Sequence, residues 1–72
     1  MDGYQALANA IVLQAAKDYK YEIRTLKKHP KSRAARAEIT NLEKFFRSGW
    51  FGILTDVDAD YLINRLRKEA VK

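Results

Sequence analysis

Eight basic side chains fall within residues 17–36, and this clustering is the sequence's strongest chemical feature. Two carboxylates share the window, so its net charge is +6, whereas the rest of the chain sums to −1. The cations are Lys17, Lys20, Arg24, Lys27, Lys28, Lys31, Arg33 and Arg36. Lysine and arginine neutralise phosphates and release their counterions. The window therefore predicts a surface for an anionic partner, either a nucleotide or nucleic acid, or an acidic host protein surface.

An ordered row of cations lies inside this window. Lys17, Lys20, Arg24 and Lys27 are spaced i, i+3, i+7 and i+10, which places them along one face of a helix. Tyrosines interleave with the row, and an aromatic ring beside a cation can stack on a base. The predicted contact residues are Lys17, Lys20, Tyr21, Arg24, Lys27, Lys28, Arg33 and Arg36. The alternative interpretation is a solvated helix face that keeps a small protein soluble.

Four aromatic residues lie close together in the second half of the chain, and they are Phe45, Phe46, Trp50 and Phe51. Aromatic side chains bury large areas, so the pattern favours a core in which Trp50 covers a thin interior. Tryptophan and phenylalanine also anchor interfaces, so the alternative is an oligomer surface. Tyr19 matches the apolar stripe of its helix and is predicted to be core, with Tyr21 as a half-buried edge residue.

Catalytic and metal-binding chemistry has little support. The chain has no cysteine, and its single histidine, His29, precedes Pro30 in a basic turn. Residues 56–60 alternate aspartate with apolar residues, and this pattern is similar to the start of a calcium-binding loop. Such a loop requires glycine at its sixth position and glutamate at its twelfth, where this chain has Tyr61 and Arg67. We expect no enzyme activity, no cofactor and no bound metal.

The elements that must position these residues are helices. A first helix over about 4–28 is predicted from apolar residues at spacings of three and four, which are Leu7, Ile11, Ala15, Tyr19, Ile23 and Leu26. Proline disfavours helix at the residue before it, so the helix ends at His29. Ser32 is a suitable N-cap for a second helix over about 33–47. Because the linker is short, the two helices should form an antiparallel hairpin.

Two further helical segments complete the prediction. A short helical turn over about 50–54 follows the break at Ser48 and Gly49, and a last helix over about 59–70 begins after Asp58 as its N-cap. No alternating strand pattern is present. The expected fold is an all-α single domain over residues 1–72, a small bundle built on a long helical hairpin.

Size bears on the partners. A chain of 72 residues has a thin core, which usually supplies roughly 3–5 kcal/mol of stability. Disulfides are excluded, so we expect a homo-oligomer to add burial. Neither a secretion signal nor an apolar run long enough for a membrane span is found, which favours no membrane partner and a bacterial cytoplasmic location.

Over most of its length the sequence resembles a family of small phage, prophage and mobile-element proteins of Gram-positive bacteria. The resemblance lies in Phe45–Phe51, Leu54–Asp58 and Tyr61–Ile63, and in the N-terminal stretches Ala8–Ile11, Gln14–Ala15 and Asp18–Tyr19. It implies a genomic setting, and it assigns no functional residues. Small phage proteins tend to be DNA-binding regulators or inhibitors of host defence, and both are binding functions.

Three functions follow as hypotheses. The first is a non-enzymatic host-takeover or anti-defence inhibitor, which binds a host protein or sequesters an anionic nucleotide through the basic helix face. The second is a small DNA-binding regulator, although a hairpin of two long helices does not match a helix-turn-helix motif. The third is a structural or assembly oligomer whose basic face is only solvated.

Overall fold

The computed structural model describes the backbone of residues 3–71 and the side chains of residues 7–71. It contains four helices: α1 (Gly3–Lys28), α2 (Arg33–Phe46), α3 (Gly49–Leu54) and α4 (Ala59–Ala70). The described residues include no strand. The predicted all-α fold is therefore confirmed, with the long hairpin of α1 and α2 followed by a short helix and a C-terminal helix.

Side-chain caps explain where the later helices begin. The hydroxyl of Ser32 accepts a hydrogen bond from the Ala35 amide at 3.2 Å, and the carboxylate of Asp58 accepts one from the Tyr61 amide at 2.9 Å. Both caps were predicted. Ser48 was not predicted as a cap, yet its hydroxyl accepts from the Phe51 amide at 3.4 Å and starts α3 one residue earlier than expected.

The core is an aromatic cluster in which α1, α2 and α3 meet. Tyr19 is completely buried, as predicted, and its ring lies edge-on to Phe46 with centroids 5.7 Å apart. Phe51 of α3 packs edge-on against Phe46 at 5.5 Å, and the half-buried Phe45 lies 5.9 Å from Phe51. Aliphatic side chains close this cluster, and they are Ala15, Ile39, Ile63 and Leu66.

The core position expected for Trp50 is wrong. Its side chain is 69% exposed, whereas its neighbour Phe51 is buried. Successive residues of a helix point about 100° apart. One side of the six-residue helix α3 faces the core, so only one of these two neighbouring rings points inward. The cap at Ser48 fixes the start of α3, and in that register Phe51 faces the core.

The start of α1 also departs from the prediction. Leu7 and Ile11 were expected on the buried face, yet they are 59% and 40% exposed. The physical reason is length. α1 has 26 residues and α2 has 14, which correspond to about 39 Å and 21 Å at 1.5 Å per residue. Helix α1 therefore extends beyond α2, and α2 does not cover the side chains of Leu7 and Ile11 fully.

Glu43 of α2 joins three helices, and sequence patterns gave no indication of it. Its Oε2 accepts hydrogen bonds from Tyr19 Oη of α1 and from Arg67 Nη2 of α4, both at 2.6 Å. Burial alone would raise the pKa of Glu43, but these two hydrogen bonds outweigh it and hold the pKa below its usual value. Burial and the hydrogen bond to Glu43 raise the pKa of Tyr19 to about 12. The phenol therefore stays neutral as a donor.

Candidate functional site: the basic face of α1 and the α1–α2 turn

The predicted contact residues lie along the second half of α1 and around the turn into α2. Lys27 and Lys28 end α1, where cations suit the negative end of the helix dipole. Arg33 and Arg36 lie in the first turn of α2, which carries no acidic residue. The turn thus brings both groups of cations to one end of the hairpin.

The structure divides the predicted row into two sides. Lys20 faces α4, where its ammonium lies 3.4 Å from the carboxylate of Glu69, and its side chain is only 29% exposed. Lys20 was expected to be a free contact residue. This expectation is corrected, because Lys20 already has an anionic partner within the chain. Lys27 stays exposed in the last turn of α1.

A narrower strip runs along the solvent side of α1. Lys17, Tyr21, Arg24 and Lys28 are all exposed and follow one another at intervals of four, three and four residues. Such spacing keeps them within an arc of about 60° over a length of about 16 Å. These four residues are called the basic strip below. The strip is straight and convex, since it lies on the outer side of a single helix.

The cations of the basic strip have no anionic partner among the described side chains. No carboxylate of residues 7–71 is found within ion-pair distance of Lys17, Arg24 or Lys28, although Asp18 and Glu22 are close in sequence. The arginines around α4 are engaged: Arg47 pairs with Asp60 and Glu43, Arg65 pairs with Glu69, and Arg67 pairs with Glu43. The exposed Lys44 of α2 and Lys68 of α4 form no ion pair among the described side chains. The protein therefore neutralises the arginines around α4 internally and leaves the three cations of the strip available in one row.

The α1–α2 turn is held by backbone and side-chain hydrogen bonds. The Ser32 amide donates to the carbonyl of His29 at 2.9 Å, and Arg36 Nη2 donates to the carbonyl of Pro30 at 3.0 Å. Arg36 is thus oriented across the turn while it remains exposed. Lys31 and Arg33 are also exposed. They extend the positive field from the strip to the start of α2.

Tyr21 is the single aromatic residue of the basic strip. It was expected at a half-buried edge, but its side chain is 66% exposed. Its ring borders an open depression that is also lined by Arg24, Thr25, Lys28 and His29. Tyr21 points outward because Tyr19 fills the core position and a residue two places further along a helix lies about 200° away. An exposed ring flanked by cations can stack on a base or bind beside a phosphate.

The residues that could ligate a metal or act as nucleophiles lie apart or serve as helix caps in the described part of the chain. No group of three or more histidine, cysteine, aspartate or glutamate side chains within them could hold a metal ion. His29 is exposed in the turn, and the hydroxyls of Ser32 and Ser48 are used as helix caps. No helix within the described range has both the length and the apolar character needed to cross a membrane.

Comparison with models of protein families, with curated proteins and with solved structures found no match for this chain.

Proposed function

We propose that this chain is a non-enzymatic binding protein whose basic strip and α1–α2 turn bind the phosphate backbone of a nucleic acid. The observation that carries the proposal is the segregation of its cations. The arginines around α4 are paired within the protein, whereas Lys17, Arg24 and Lys28 face solvent in one row without a carboxylate among the described side chains. Unpaired cations in a straight row match a polyanion better than they match a compact ligand.

The shape of the surface supports the same choice. Small ligands bind in concave sites that bury most of their surface. The strip lies on the outside of one helix, and the depression beside Tyr21 is open to solvent. A phosphate backbone requires no enclosure, because its repeating charges can follow a helix along its length. The geometry thus favours the nucleic-acid hypothesis over sequestration of a small nucleotide by one chain.

The rest of the protein surface favours contact with the phosphate backbone of the nucleic acid over recognition of its base sequence. The turn between α3 and α4 has a length that a helix-turn-helix motif allows, but the turn and the first residues of α4 carry Asp56, Asp58 and Asp60. Those carboxylates would meet the phosphates of a groove at the point where a recognition helix enters it. We therefore infer recognition of charge and shape, with little base preference.

Removing two lysines of the strip should weaken binding and lower its salt dependence. Lys17→Ala with Lys28→Ala is expected to reduce the slope of log K against log salt concentration by about two, since each phosphate contact contributes about one. Fluorescence anisotropy with a labelled mixed-sequence duplex and a labelled single strand, titrated from low to physiological salt, measures this slope.

The matched control is Lys44→Ala with Lys68→Ala, which removes the same charge from exposed lysines on α2 and α4. This variant should retain nearly the wild-type slope. Equal weakening in both double variants would mean that net charge alone attracts the nucleic acid, and the strip would not be the site. Absence of binding by the wild-type protein at low salt would exclude the proposal.

A nucleotide remains a second candidate because of Tyr21, whose exposed ring lies beside Arg24, Lys28 and His29. If a cyclic dinucleotide binds there, titration calorimetry should detect heat that Tyr21→Ala abolishes. Tyr61→Ala is the matched control, since Tyr61 is also exposed and accepts a hydrogen bond from Arg65 on α4. Heat that is absent in the wild type, or lost equally in both variants, would remove this candidate.

The biological role stays a prediction. The resemblance to phage and mobile-element proteins implies action on a bacterial host, as an anti-defence inhibitor or as a regulator. Either role is compatible with a basic surface that binds nucleic acid. A structural or assembly role would leave the strip solvated. In that case the double variant Lys17→Ala with Lys28→Ala should keep the full biological activity of the wild-type protein.

A further inference from the structure

The first half of α1 has a composition unlike the rest of the chain. Residues 3–16 contain no charged side chain, although 32% of the whole sequence is charged. In its described part, residues 7–16, the polar side chains are Asn9 and Gln14, and the large apolar side chains of Leu7, Ile11 and Leu13 are exposed. Large apolar side chains that stay exposed as a group on one side of a helix usually mark a contact surface.

The bundle covers only one side of residues 7–16. Val12 and Ala8 are half-buried toward the core, and Ala15 is buried. On the outer side, Leu7 and Leu13 are 59% and 60% exposed, with Ala10 exposed between them. Leu7, Ala10 and Leu13 form what is called the apolar strip below. It lies on the same outer side of α1 as the basic strip and precedes it along the helix.

We infer that the apolar strip is a dimer interface, and that its occupant is the apolar strip of a second copy of this chain. Two helices can approach closely here, because Ala10 lies between the two leucines and leaves room for the partner's side chains. The inference is independent of nucleic-acid binding, because it rests on apolar surface alone.

Charge favours a second copy in an antiparallel orientation. Each chain carries a net charge of +5, so two copies repel each other unless they meet at an uncharged surface. Residues 3–16 provide that surface. If the two α1 helices cross near Ala10 and run in opposite directions, the basic strips point away from each other. A parallel pair would instead place Lys17 and Arg24 of both copies side by side, at a cost in like-charge repulsion.

The area sets the expected affinity. The exposed apolar surface on this side is on the order of a few hundred Å², whereas a standard interface buries about 800 Å² per partner. The dimer should therefore be weak, with dissociation at micromolar concentrations or above. A lipid surface fits less well, because interfacial helices carry lysine or arginine on a polar face of the same segment, and residues 3–16 have none.

The test is sedimentation velocity or light scattering over a range from about 10 µM to 1 mM, the range that a weak interface requires. The wild type should shift from monomer to dimer. Leu13→Glu should stay monomeric over the whole range, because it places two like charges in the interface. Leu13 is largely exposed, so the helical content by circular dichroism should not change. Ile53→Glu is the matched control, since Ile53 is 78% exposed on α3, and this variant should dimerise like the wild type.

The relative orientation of the two α1 helices is tested separately. Because the chain has no cysteine, a single introduced cysteine can be labelled specifically. Spin labels on Ala10→Cys should lie close together in the dimer. Labels on Lys28→Cys should be roughly 50 Å apart if the helices are antiparallel. A short distance at both positions would overturn the antiparallel arrangement. Three results would overturn the dimer interface. The first is a wild type that is monomeric at 1 mM, and the second is a dimer that is lost in Ile53→Glu but kept in Leu13→Glu. The third is a monomer that binds phosphatidylcholine or phosphatidylglycerol vesicles through Leu13.

Discussion

Replacing Phe46 with alanine should leave most of the protein unfolded at room temperature. The side chain is 1% exposed and packs against the rings of Tyr19, Phe45 and Phe51. Loss of a buried phenylalanine costs about 3–5 kcal/mol, which includes the cavity that it leaves. A core of this size supplies roughly 3–5 kcal/mol in total. Urea denaturation followed by circular dichroism should show little or no folded baseline for Phe46→Ala.

The matched control is Trp50→Ala, which removes a larger ring four residues later. Trp50 is 69% exposed, so its loss should change the free energy of unfolding by no more than about 0.5 kcal/mol. The same ring offers an independent check, because the fluorescence of this single tryptophan should have the long-wavelength maximum of a solvated indole. Equal destabilisation by the two substitutions would contradict the register of α3 described above.

The helix boundaries could be predicted from sequence because local chemistry sets them. Pro30 ends α1, and the side chains of Ser32 and Asp58 cap the amides of the turns that follow. The two caps join residues three positions apart, and the proline acts on the residue before it. They require no knowledge of the tertiary structure, and the predicted bounds agree with the structure to within one residue at every helix end.

Burial could be predicted only where the helices overlap. Tyr19 and Phe46 lie where α1, α2 and α3 meet, and their stripes were interpreted correctly. Leu7 belongs to the same stripe, but it lies beyond the end of α2. A periodic pattern shows that a helix has an apolar face. It does not show how much of that face a shorter partner helix can cover.

The candidate site was predicted in composition but not in detail. The window of residues 17–36 was evident from charge alone, yet the sequence does not show that Glu69 lies beside Lys20 at the end of α4. That pairing depends on how α4 packs along α1, and it joins two residues that are 49 positions apart in the chain. The same packing makes Glu43 the partner of Tyr19 and Arg67. Which cations are neutralised and which remain available is thus a property of the fold.

These polar contacts also separate stability from binding. The ion pairs of Arg67 with Glu43 and of Arg47 with Asp60 join α2 and the residue after it to α4, away from the outer side of α1. The basic strip takes no part in those ion pairs. Substitutions within the strip should therefore alter binding without loss of folding, whereas substitutions at Glu43 should alter folding. This separation makes the two kinds of variant informative side by side.

Glu43→Ala should lower the free energy of unfolding by about 2–3 kcal/mol at neutral pH, since hydrogen bonds to a charged group contribute about 1.5–3 kcal/mol and a buried donor left without a partner adds a cost. The substitution removes the acceptor of both Tyr19 and Arg67. Glu43→Gln keeps the shape and a neutral acceptor, so it should cost less. Urea denaturation at neutral pH measures both.

The acid dependence of the same variants gives the sharper result. Because the folded protein holds the pKa of Glu43 below its ordinary value of 4.5, the stabilisation by the carboxylate is present above that value. It is lost as the pH falls through the folded-state pKa. The difference in stability between the wild type and Glu43→Gln should therefore shrink in acid, because protonation makes the native side chain neutral as well. Tyr19→Phe removes one of the two hydrogen bonds, so in a double-mutant cycle with Glu43→Gln the two losses should be less than additive. Strict additivity, or a stability difference that persists unchanged far below pH 4.5, would show that the carboxylate of Glu43 does not stabilise the junction of the three helices.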